Sequence, residues 1–151
     1  YFTASGDAPA IIGDEGSMGF VSPGGELQDR FKFPKDSLPW LTPDDLDFYT
    51  KQFERSGFTG PLNRYRCVHL DWSDLRMYHE APLTQPSLFI GGEKDGPTIW
   101  GAGSISRFSS TLPNLINSVI LPSVGHWIQQ EDPDSTNSLL LDFFHSFNFG
   151  Q

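Results

Sequence analysis

Apolar residues recur at helical spacing near the middle and the end of this chain, and gather into two short continuous runs between those regions. After Pro43, the residues Leu46, Tyr49 and Phe53 fall on one side of a helix. Thr42 stands where an N-cap belongs, Pro43 suits the first helical position, and Asp44 and Asp45 lie at the positive end of the helix dipole. Gly57 predicts a left-handed C-terminal cap. Pro61 opens a second, short helix on which Leu62, Tyr65 and His69 share a face, so Tyr65 is expected to point inward. Residues 73–85 read as a connection with at most a turn of helix around Leu75. Pro86 introduces Ser87-Leu88-Phe89-Ile90, a short run that suits a strand buried on both faces. Residues 100–111 read as a helix weakened by Gly101 and Gly103 and ended by Pro113. Residues 117–121 form the second apolar run. Asp132 caps the last helix, Pro133 starts it, and Leu139, Leu140, Phe143, Phe144 and Phe147 give it a wide apolar face.

The order strand, helix, strand, helix predicts an α/β chain with a right-handed crossover between parallel strands. Two strands cannot cover both their own faces, so neighbouring strands are expected from outside this sequence. The opening is different in kind. Residues 1–5 read as the end of a helix, and residues 6–35 are rich in Gly, Pro, Asp and Ser, which predicts a long loop. A loop of that length is usually functional or mobile, and its phenylalanines suggest that it packs on something.

Charge and composition remove several functions. The chain has 19 acidic and 10 basic residues and a net charge of −9, with no basic stripe, which argues against a nucleic-acid partner. No apolar run is long enough for a bilayer span and no signal segment opens the sequence, so no membrane partner is expected. Cys67 is the one cysteine and forms no internal disulfide, and a cytoplasmic location follows as the expectation. No Cys/His spacing suits a metal and no glycine loop suits a phosphate, so no metal or cofactor is expected.

The candidate chemistry lies after the two apolar runs. Leu88-Phe89-Ile90 leads into Gly91-Gly92-Glu93-Lys94-Asp95, and Val119-Ile120-Leu121 leads to Gly125-His126-Trp127. A loop histidine alone more often has no chemistry, and Asp95 alone reads as a solvated turn residue. Together they give the carboxylate-then-histidine order of an α/β-hydrolase triad, with the carboxylate orienting an imidazole that takes a proton from water. Trp127 reads as a pocket-lining residue or as simple packing. Tyr65 reads from spacing alone as a core aromatic. His69, His79 and His145 have no carboxylate partner at a telling distance in sequence.

Leu62-Asn63-Arg64-Tyr65-Arg66, Glu93-Lys94-Asp95 and Gly125-His126-Trp127 resemble the C-terminal part of an epoxide hydrolase of the α/β-hydrolase fold. Residues 45–66, centred on Phe53-Glu54-Arg55-Ser56-Gly57-Phe58, are similar to that family's lid; the resemblance runs from Ser37 onward and more weakly over residues 2–5. It implies a helical lid portion over residues 1–72 with a long loop at 6–39, a linker at 73–86, and the end of the hydrolase core, parallel strands with flanking helices, over 87–151. It also implies catalytic roles for His126, Asp95 and Tyr65, the last donating a hydrogen bond to the epoxide oxygen. Arg64 departs from the tryptophan common there.

No apolar strand in this sequence runs into an aspartate flanked by small residues, the pattern of the family's nucleophile. Residues 5–8 and 13–16 have the small residues without the strand. The expected partners are therefore an epoxide and a complementary N-terminal portion carrying the nucleophilic aspartate, with this chain inactive by itself. A haloalkane or haloacid dehalogenase of the same fold, which would need halide-binding donors in place of Tyr65, and a noncatalytic binding protein on a hydrolase scaffold are the alternatives.

Overall fold

The structure, a computed structural model, describes residues 23–26 and 36–147. The expected helix end at 1–5, nearly all of the loop at 6–35, and the aspartates at 7 and 14 lie outside these residues.

Helix α1 spans Pro43–Ser56, α2 Thr59–Arg66 and α3 Val68–Asp74, followed by a 3₁₀ turn at Leu75–Tyr78. The start of α1 is a full capping box. The Asp45 amide donates to Thr42 Oγ1 at 3.2 Å, and the Thr42 amide donates back to Asp45 Oδ2 at 3.0 Å. These side-chain and backbone hydrogen bonds from Thr42 hold the Asp45 carboxyl below the usual carboxylate range. Gly57 caps the helix through its amide to the Phe53 carbonyl, at 2.8 Å. Its φ of 67° is positive as expected, but its ψ of −177° is extended rather than left-handed helical. Phe53 and Phe58 then stack at 4.6 Å across the turn.

The helix after Gly57 is shorter than its apolar pattern implies. The Cys67 amide closes α2 on the Asn63 carbonyl, and the amides of Leu70 and Asp71 both return to the Cys67 carbonyl. The chain therefore restarts at Cys67, and His69 belongs to α3 rather than to the helix of Tyr65. Cys67 sits at this break instead of inside a helix.

Strand β1, Ser87–Gly92, pairs in parallel with β2, Leu115–Leu121. The crossover between them is not one helix. It is three short ones, α4 Gly96–Trp100, α5 Ala102–Ile105 and α6 Phe108–Thr111, separated at Gly101 and Arg107. Gly101 turns its amide back to the Pro97 carbonyl, so the expected weakness at this glycine becomes an actual break. Phe108 meets Phe89 edge-on at 5.1 Å, seating the crossover on β1. After β2 come α7, Ile128–Glu131, and α8, Pro133–His145. Asp132 caps α8 by accepting from the Ser135 amide. Thr136, only 2% exposed, donates to the Ile128 carbonyl and ties α8 to α7.

The strands differ from the expectation of burial on both faces. Ile116 and Ile120 are exposed among the described residues, because a two-stranded sheet has nothing to lay over them. Among the described residues, the buried hydrophobic side chains are Leu38, Leu41, Leu121 and Val124. The last two end β2 and begin the loop that carries His126.

Candidate active site

Both candidate residues sit just past the C-terminal ends of neighbouring parallel strands, where α/β sheets place their chemistry. The two strand ends are drawn together by backbone. The Glu93 amide donates to the Leu121 carbonyl and the Lys94 amide to the Val124 carbonyl, each at 2.9 Å. Gly92 makes this approach feasible. A Cβ there would overlap the carbonyl oxygens of Gly125 and Val124, so no larger residue fits.

Asp95 has two tasks, one for each carboxylate oxygen. Oδ2 caps α4, accepting from the Thr98 amide at 3.2 Å and the Thr98 hydroxyl at 2.9 Å. Oδ1 lies 2.8 Å from His126 Nδ1. Asp95 is buried, at 9% exposure, so its carboxylate cannot swing away without breaking the cap. The His126 side chain is 44% exposed and remains open to a reactant. With Asp95 ionised, Nδ1 carries the proton, and Nε2 keeps the lone pair that a general base needs.

The loop between β2 and His126 is held by two carboxylates. Glu93 Oε2 accepts from the Ser123 amide at 2.7 Å, and Ser123 has a φ of 63°, an uncommon conformation for a side-chain-bearing residue. Glu131 Oε2 accepts from the Gly125 amide at 2.9 Å and Oε1 from the Trp127 amide at 3.0 Å. The rings of His126 and Trp127 meet edge-on at 4.9 Å.

Tyr65 corrects the sequence expectation. It lies on α2 and is 76% exposed rather than turned into an interior. No residue of α2 is buried, so the apolar face of this helix has no packing surface among the described residues. Arg64 makes a loose 3.8 Å ion pair with Asp71 of α3. Glu93 was read only as part of the motif that ends in Asp95, and Thr98 and Glu131 were given no role from sequence. The signal for Thr98 was local, since an aspartate three residues before a threonine and two before a proline marks a helix start. Among the described residues, no group of three or more His, Cys, Asp or Glu is gathered to hold a metal ion.

This geometry can be set beside known proteins. No protein-family model matches the chain. Over 123 residues it is 50% identical to epoxide hydrolase B of Mycobacterium tuberculosis, covering 82% of this chain and 35% of that protein. A solved epoxide hydrolase from an endophytic Streptomyces is 48% identical and superposes with a TM-score of 0.84, over 96% of this chain and 44% of the other. The chain is homologous to the C-terminal part of α/β-hydrolase-fold epoxide hydrolases. The likeness extends to plants: potato epoxide hydrolase I gives a TM-score of 0.69 at 31% identity, over 76% of this chain and 38% of that one. The chain thus spans less than half the length of these epoxide hydrolases.

Proposed function

We propose that this chain supplies the water-activating part of an epoxide hydrolase, and that the complete protein adds water to an epoxide to give a vicinal diol. The observation that carries this reading is the 2.8 Å contact between His126 Nδ1 and the buried Asp95 carboxylate at adjacent strand ends. Homology to epoxide hydrolases supports the choice of substrate class.

The reaction has two steps. A carboxylate oxygen, from an aspartate supplied by a complementary N-terminal portion, bonds to an epoxide carbon while that carbon's bond to the ring oxygen breaks. Tyr65 donates its proton to the departing oxygen, an interaction that strengthens as charge develops there. A water molecule then attacks the ester carbonyl as His126 Nε2 takes its proton. The bond from the carbonyl carbon to the alcohol oxygen breaks as that oxygen takes the proton held on His126; the restored carboxyl group ionises, and its proton returns through solvent to Tyr65. Asp95 holds the His126 tautomer and offsets the charge of the imidazolium. Trp127 forms part of the pocket wall beside His126. In this reading residues 1–72 belong to the lid, 73–86 link it to the core, and 87–151 end the core. No metal or cofactor enters either step. With no disulfide needing an oxidising compartment, we assign the protein to the cytoplasm.

The test is to trap the intermediate. In the complete polypeptide carrying this sequence, His126→Ala should still form the ester but fail to release it. Acid quenching after addition of styrene oxide, followed by intact-mass spectrometry, should show the protein heavier by one substrate. Unmodified protein under those conditions would remove the two-step reading.

A further inference from the structure

We propose that Glu131 is a positioning residue for His126, holding the imidazole in line for the hydrolytic step; this rests on the two-step reading above. The carboxylate of Glu131 accepts from the amides on either side of the histidine, Gly125 at 2.9 Å and Trp127 at 3.0 Å. Those two bonds pin the backbone before and after His126, so they set where its Cβ points. Asp95 fixes the ring itself, at Nδ1. The imidazole is therefore located by two carboxylates, one acting on its main chain and one on its ring.

The clamp needs two acceptor atoms on one rigid group, which a carboxylate provides. Gly125 is buried, so an unpaired amide there would be costly. The segment that carries Glu131 is a four-residue helix, too short to hold its shape through its own hydrogen bonds. Its register is kept from both sides: the Glu131 amide donates to the Trp127 carbonyl at 2.8 Å, and Thr136 of α8 holds the Ile128 carbonyl. Glu131 thus links the segment leading into α8 to the loop that carries His126. Glutamine is a poor replacement. It offers one acceptor and one N–H₂, and the latter would face another N–H.

Positioning and folding roles predict different kinetics. Ester formation does not use His126, whereas ester hydrolysis does. In the complete polypeptide, Glu131→Gln and Glu131→Ala should leave the ester-forming rate with styrene oxide within about twofold. They should slow ester release roughly 10–100-fold, the scale of a misplaced catalytic group. The ester should then accumulate in rapid acid-quench mass spectra, and kcat and KM should fall together. Equal slowing of both steps, no slowing of either, or failure of both variants to fold would each overturn the proposal. If His126→Ala accumulates no ester, the two-step reading is at fault. The positioning role is then read from the downfield proton resonance of His126 Nδ1–H: its loss in both Glu131 variants supports the role, and its persistence overturns it.

Discussion

A single side chain, Asp95, is both the cap of a helix and the anchor of the histidine. Sharing one carboxylate between these tasks makes the catalytic geometry inseparable from the start of α4. Thr98, bonded through both its amide and its hydroxyl to Oδ2, leaves Oδ1 to face His126. Tyr65 is the opposite case. Its exposure on α2 leaves its hydroxyl without an enclosing pocket among the described residues, and its role depends on what covers that helix. In the complete polypeptide, Tyr65→Phe is expected to slow ester formation and leave ester hydrolysis unchanged. The expected loss is roughly 10–1,000-fold, smaller if a second donor shares the oxygen. Pre-steady-state measurement of ester formation checks this, and an unchanged rate would remove Tyr65 from the reaction.

At the level of elements, the strand ends and the loop after β2 act as one unit. Gly92 allows the Val124–Gly125 backbone to lie directly against β1, and Glu93 and Glu131 hold that loop at its two ends. Gly92→Ala should force this contact open. The expected cost is about 1–3 kcal/mol of stability, typical of added volume in a tight contact, together with displacement of His126 from Asp95. Denaturation midpoints and the His126 Nδ1–H resonance report the two effects separately; a variant with both unchanged would contradict the close approach. Much of this level was legible beforehand. The α1 cap, both strands and the α8 start follow from Thr42-Pro43, the two apolar runs and Asp132-Pro133. At Gly101 only a weakness was legible, and the break at Cys67 was not, because a helical pattern of apolar residues does not say where the backbone turns aside.

For the whole molecule, the exposed apolar surface is the dominant feature. Trp72, Leu75, Met77 and Tyr78 lie open on one part of the chain, and Ile116 and Ile120 on the sheet. An apolar groove lined by Leu88, Ile90, Phe108, Leu140, Phe143 and Phe144 runs between β1, α6 and α8. Surfaces of this kind mark contacts rather than solvent boundaries. Residues 1–151 expressed alone are therefore expected to associate or fold incompletely, and to form no diol from an epoxide. Light scattering and a product assay test this. A well-folded monomer that hydrolyses epoxides would overturn the requirement for a nucleophile from outside these residues.

The identity of the chemical groups was decided by the sequence alone. An aspartate and a histidine, each following an apolar run and separated by about thirty residues, carry the same roles wherever the chain places them, because acid–base character belongs to the side chain. Local punctuation was equally readable, since caps and prolines act over three or four residues. Tertiary structure alone decided the rest. The 2.8 Å contact between Asp95 and His126 requires two strands to pair in parallel and in register. The Glu131 clamp depends on a four-residue helix curling its last side chain onto backbone amides, which no periodicity announces. The exposure of Tyr65 depends on what stands opposite α2, and an amphipathic pattern specifies a face to be covered without supplying the cover.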